Sequence, residues 1–217
     1  AKGISQYAVR ARQCGMKTPQ ADTFVVEALF TTVTNVNFDA ARVEALIRKG
    51  AGVKDATRAL YEDACKKEGK TPEIVQGPAA WTPAQTRDGR LDQAAGIGIA
   101  AAKASLGDDL TGLRELLTYG LKGMAAYVDH AYILGKEDDK VYAFIHEALD
   151  FLTRDNVVAE ELLDLALRTG EANLWAMEAL DTANTSTYGH PEPTQVRVTP
   201  IKGKAIVVSG HDLKDLE

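Results

Sequence analysis

Cysteine is scarce in this chain: its 217 residues hold only Cys14 and Cys65. They lie far apart without CxxC spacing, so the chain can build neither a disulfide framework nor a cysteine-only metal cluster. The pattern fits buried or idle thiols. Long apolar runs are also missing. No stretch approaches the roughly 18 residues of a membrane span, and the opening AKGISQYAVRARQ lacks the apolar centre of a signal peptide. A cytoplasmic protein is the expectation. Basic residues are not in excess, with 25 Lys and Arg against 31 Asp and Glu and a net charge of −6. That balance excludes an electrostatic footprint for nucleic acid or an anionic membrane, and leaves small molecules, metals or proteins as partners.

Familiar catalytic signatures are absent as well. The chain has no GxSxG, HExxH or P-loop, and Ser209 has no recognisable base partner. Gly96 and Gly98 neither follow a β-run nor complete a GxGxxG, so they read as small residues at a helix contact.

Helical periodicity dominates what is present. The hydrophobic fraction of 45% can build a substantial core. ISQYAVRARQ reads as a short amphipathic helix broken by Gly15 and Pro19, and a second helix follows from Ala21 to Asn35. A third is predicted to start at a cap on Asp39, with Val43, Ile47, Gly50, Val53, Thr57, Leu60 and Ala64 at helical spacing. From Gly69 to Gly107 the prolines at 72, 78 and 83 rule out one continuous helix and mark a connector. Asp108 or Asp109 is then expected to cap a long helix with a seam from Leu110 through Leu117, Leu121, Met124 and Val128 to Ala131. Gly120 and Gly123 inside it each cost about 1 kcal/mol of helix propensity relative to Ala, which implies a close helix contact. KVYAFIHEALDFL and a helix with a seam from Val158 to Ala183 complete this second set of three.

Beyond Pro191 and Pro193 the texture turns to strand. QVRV and AIVVS are candidates, the latter of the buried kind found in parallel sheets. His211 follows AIVVSG directly and precedes Asp212, a helix-cap candidate. This places an imidazole at the carboxyl end of a strand, where α/β domains bind ligands. It could ligate a metal, move a proton, bond a substrate, or simply sit in a loop. His190 occupies a turn at the junction of helices and strands. His130 and His146 lie within helices and form no HxxxH or ExxH pair, so both read as packed or solvated helix residues.

Four stretches, TNVNFD at 34–39, YGLKGMAAYVDHAYILG at 119–135, TYGHPEPTQV at 187–196 and SGHDLKDLE at 209–217, together resemble the hybrid cluster protein family. These are the hydroxylamine reductases also called prismane proteins. The resemblance covers nearly the whole chain and is weakest in the Pro-rich connector from about 69 to 95. It implies a fold class of mainly α, with two three-helix bundles followed by the first strand or strands of a truncated Rossmann-like α/β domain. The expected division is 1–105 for the first helical bundle and connector, 106–190 for the second bundle, and 191–217 for the start of the α/β domain. The resemblance also implies an iron-sulfur oxidoreductase that reduces hydroxylamine or related small nitrogen oxides. The full-length family carries a hybrid iron-sulfur-oxygen cluster and an additional iron-sulfur cluster. His211, in SGHDL, matches the family's histidine ligand and is the metal- and cofactor-binding residue carried over.

Cys14 and Cys65 match none of the family's ligand motifs. The family's N-terminal cysteines, its remaining cysteines and both cluster glutamates fall outside this chain, so no cofactor and no turnover are expected of the chain alone. Missing domains or a partner chain would complete the site, and an electron donor would serve it. A helical scaffold or interaction module, and a relative of the carbon monoxide dehydrogenases, are the competing readings.

Overall fold

The computed structural model describes residues 1–33, 39–193 and 195–206. Within them the chain is mainly helical, with α1 (Lys2–Gln13), α2 (Pro19–Phe30), α3 (Ala40–Lys67), α4 (Arg87–Ala95), α5 (Ile99–Leu106), α6 (Asp108–Ile133), α7 (Asp139–Phe151) and α8 (Ala159–Tyr188). A single 3-10 turn spans Gly77–Ala79.

Local chemistry sets these limits. Asp39 caps α3 as expected, its carboxylate accepting from the backbone N–H of Ala41 at 2.9 Å and of Arg42 at 3.2 Å. Pro19 opens α2, where its missing N–H costs nothing. The start of α6 differs from the prediction: Gly107, at φ +80°, holds the cap position, and Asp108 and Asp109 lie in the first turn without a side-chain capping bond. There their charge still favours the helix dipole. The connector is more ordered than its prolines suggest, because Thr86 caps the short α4 and α5 follows it.

One apolar core joins helices from both halves of the sequence. Ile4 and Ala8 of α1, Phe24, Val25 and Val26 of α2, and Val53 of α3 bury against Leu117, Leu121 and Met124 of α6. Ile145 and Leu149 of α7 and Leu162, Leu165, Ala172 and Ala176 of α8 complete it. α6 packs along α8, α1 lies against both α3 and α7, and α2 reaches α6. The predicted seams of α6 and α8 are the buried faces, except that Val158 is exposed at the cap of α8. Gly120 explains itself, since a Cβ there would come within 3.1 Å of the Thr169 methyl on α8. Gly123 faces open space, so the contact inferred for both glycines exists at one of them.

The connector is tied to α1 by polar contacts. Gln6 donates to the Gln76 carbonyl at 3.2 Å and accepts from the Ala79 N–H at 2.8 Å. Gly3 lets the Pro78 carbonyl approach, since a Cβ would stand 2.3 Å from that oxygen.

The strand expectation is corrected here. QVRV forms no strand, and Val196, Val198, Ile201 and Ile206 are exposed. A short apolar run gains strand stability only by pairing and burial, and this segment has neither among the described residues. The rest of AIVVS, with His211, lies outside the described residues. A Rossmann-like start is therefore not supported. No helix of the described residues is long and apolar enough to cross a membrane.

Candidate functional site

The sequence directs attention first to four histidines. His211 lies outside the described residues. His190 is exposed just past the end of α8, where Gly189 takes φ +85° to turn the chain out of the helix. His130, in the last turn of α6, meets the Phe30 ring edge-on, with centroids 5.4 Å apart and planes at 89°. The fourth is the most constrained.

His146 sits on the buried face of α7 at 1% exposure and links three helices. Its Nε2 lies 2.9 Å from Oδ1 of Asp22 on α2, and its Nδ1 lies 2.9 Å from the Ser5 hydroxyl on α1. Asp22 Oδ1 also accepts from the Thr18 hydroxyl at 2.8 Å, and its Oδ2 accepts from Arg12 Nη2 at 2.9 Å. Arg12 Nε donates to Thr18 Oγ1 at 3.0 Å, and Nη1 reaches Asp139 at the start of α7, also at 3.0 Å.

Electrostatics fixes the protons in this network. Burial by itself would raise the Asp22 carboxyl, but the His146 hydrogen bond, then Thr18 and Arg12, outweigh it and hold the carboxyl below its usual range. Asp22 is therefore an acceptor only. Burial pushes His146 down, against the pull of Asp22, so the imidazole stays neutral. A neutral ring facing a carboxylate through Nε2 carries its proton there. Nδ1 then accepts from the Ser5 hydroxyl.

Ser, His and Asp in a row suggest an activated nucleophile, but this row is not one. Ser5 is fully buried, so no substrate carbonyl could reach its oxygen. The network is a clamp that satisfies buried polar groups while joining α1, α2 and α7. Sequence reasoning placed His146 as a packed helix residue and missed its partners, because positions 5, 22 and 146 share no local spacing.

A cleft of about 440 Å³ lies between α7 and α8, lined by the charged side chains of Glu147, Arg154, Glu160, Glu161, Asp164 and Arg168 and by Phe151 and Leu165. Arg168 is engaged by both oxygens of Glu147, at 2.8 and 3.0 Å, and the Arg154 guanidinium lies 4.8 Å from the Phe151 ring centroid. The cleft is open, and six of its eight lining residues are charged, unlike the mostly apolar lining of a ligand pocket.

The family description that matches the chain is Prismane/CO dehydrogenase family, over residues 1–217. The chain belongs to that family. It is 52% identical over 216 residues to a hydroxylamine reductase of Rhodospirillum rubrum. It is 47% identical to the hydroxylamine reductases of Acidiphilium cryptum over 215 residues and of Acidithiobacillus ferrooxidans over 216. Each alignment covers 99% or more of this chain and 39% of the relative, so the chain spans about two fifths of the length of these curated relatives. The family resemblance drawn from four short stretches thus holds along the whole chain.

The described residues do not fit an iron-sulfur cluster. Such clusters need several thiolates or equivalent donors converging on the irons. Among the described residues no three His, Cys, Asp or Glu side chains do so. The chain's two cysteines pack in a small cluster at the ends of α1 and α3.

Proposed function

We propose that this chain is the helical portion of a hybrid-cluster oxidoreductase that reduces hydroxylamine to ammonia, or related small nitrogen oxides. The observation that carries this reading is the match along the entire chain to proteins named hydroxylamine reductase, at up to 52% identity. Hydroxylamine reduction takes two electrons and two protons, breaks the N–O bond and yields ammonia and water, so a redox cofactor and an electron donor are required. The rest of the protein, or a partner chain, supplies the thiolates and carboxylates that the described residues do not.

In this reading the two sets of three helices, divided near residue 105 and ending near residue 190, share one core and wall the site from water. His211 binds one iron through a ring nitrogen. The protein is cytoplasmic and binds neither nucleic acid nor membrane, in keeping with its net charge of −6.

The test uses the full-length protein purified without oxygen. Iron and sulfide are expected in stoichiometric amounts, with hydroxylamine-dependent oxidation of a reduced viologen dye. His211→Ala is expected to alter the visible spectrum and abolish turnover. An unchanged spectrum and rate in that variant would remove His211 from the cluster. Absence of iron in the full-length protein would overturn the oxidoreductase assignment.

A further inference from the structure

The ends of α1 and α3 carry the chain's two thiols. Cys14 closes α1, its N–H bonded to the carbonyls of Ala11 and Arg10. Cys65 lies in the last turns of α3, where its carbonyl accepts from the Lys70 N–H at 2.8 Å. The Cys65 side chain is buried in a cluster with Tyr7, Ala11, Tyr61, Val75 and Ala79, and Cys14 packs on that cluster while staying partly open to solvent. Both thiols therefore belong to one cluster, Cys65 inside it and Cys14 on its edge. One thiol is thus partly open to solvent, and the other is buried in the cluster it packs on.

We infer that Cys14 and Cys65 form a reversible disulfide, made by exchange with a small-molecule disulfide of the glutathione class, that staples the end of α1 to the end of α3. Cys14, as thiolate, attacks one sulfur of oxidised glutathione. The glutathione S–S bond breaks, and one glutathione leaves as thiolate and takes up a proton. Cys65 then loses its proton and attacks the Cys14 sulfur of the mixed disulfide, releasing the second glutathione. The two protein thiols give up two electrons and two protons, and the glutathione disulfide accepts both as it becomes two thiols.

The surroundings set the pace. Burial raises the Cys14 thiol, the Glu68 carboxylate and the neighbouring Cys65 raise it further, and the Lys70 ammonium opposes them. Tyr61 packs with Cys65 in the buried cluster, its hydroxyl accepting from the Glu73 N–H at 3.0 Å. The raised Cys14 thiol stays protonated at neutral pH, so exchange is slow there and quickens as pH rises. Closing the bond encircles α2 and most of α3 in one covalent loop, which restricts the unfolded chain and stabilises the folded one.

Peptide mapping tests this on the full-length protein, incubated with oxidised glutathione, blocked with N-ethylmaleimide and digested without reductant. Mass spectrometry is expected to find a peptide pair joined through Cys14 and Cys65, absent from Cys14→Ser and Cys65→Ser. An upward shift in Tm that dithiothreitol reverses is expected alongside it. Recovery of both cysteines as maleimide adducts after long incubation overturns the inference. So does a Cys14 that carries glutathione while Cys65 carries maleimide. The wild-type map decides between these outcomes even where a variant fails to fold.

Discussion

Removing the Asp22 carboxylate is expected to destabilise the helical core more than any exposed ion pair could. In Asp22→Ala the His146 Nε2–H, the Thr18 hydroxyl and Arg12 Nη2 lose acceptors at 2.9, 2.8 and 2.9 Å, all facing a side chain that is 6% exposed. Breaking a buried charged pair from one side costs about 3–5 kcal/mol, because the partner's donors stay buried and unpaired. At about 2–4 °C per kcal/mol for a chain of this size, Tm should fall by roughly 8–16 °C for a cost near the middle of that range. Asp22→Asn should lie between wild type and alanine. Its amide can donate to His146 if the ring moves its proton to Nδ1, and its carbonyl can still accept from Arg12. The control is Asp139→Ala, which removes the other carboxylate bonded to Arg12, 64% exposed in its side chain. That change should cost below about 1 kcal/mol. Thermal unfolding followed by helical circular dichroism at pH 7 measures all three. Asp22→Ala within about 2 °C of wild type, or no worse than Asp139→Ala, would refute the clamp.

Acid should weaken the same clamp in two stages. His146 is depressed by burial, so its contribution is whole above its unfolded value near 6.5 and is lost as pH falls through its folded value. Asp22 is depressed too, and its contribution is lost at lower pH, below about 3.8. The urea midpoint should therefore fall between about pH 7 and pH 5, and His146→Gln should flatten that fall; equal slopes in both proteins would contradict it. Glycine substitutions should split by neighbour. Gly3→Ala should destabilise despite better helix propensity, because its Cβ would stand 2.3 Å from the Pro78 carbonyl oxygen. Gly112→Ala meets nothing within 4 Å and should stabilise by about 0.5–1 kcal/mol. A stabilised Gly3→Ala would show that the connector does not rest on α1.

Much of the fold was legible because helices announce themselves locally. Leu117, Leu121, Met124, Val128 and Ala131 repeat every three or four residues, and that spacing alone identified the buried face of α6. The Asp39 cap was legible for the same reason, since donor and acceptor are two and three residues apart. The strand at QVRV was misjudged because β-branched residues make a strand only when a neighbour pairs with them. The connector's short helices were missed because proline at 72, 78 and 83 breaks a helix without forbidding new ones at 87 and 99. Of the candidate site, His211 was named from its sequence neighbours and lies outside the described residues, while the clamp around His146 escaped notice.

The sequence by itself determined the helical class, the buried faces and the family, because each is written in local spacing, composition or short motifs. Only the tertiary structure decided that His146 bonds both Ser5 and Asp22, that Cys14 packs on the cluster holding Cys65, and that the Pro78 carbonyl rests on Gly3. Those contacts join residues 51 to 141 positions apart. Which distant groups meet depends on how the helices pack, since periodicity fixes the face a side chain occupies and leaves its neighbour across the interface undetermined.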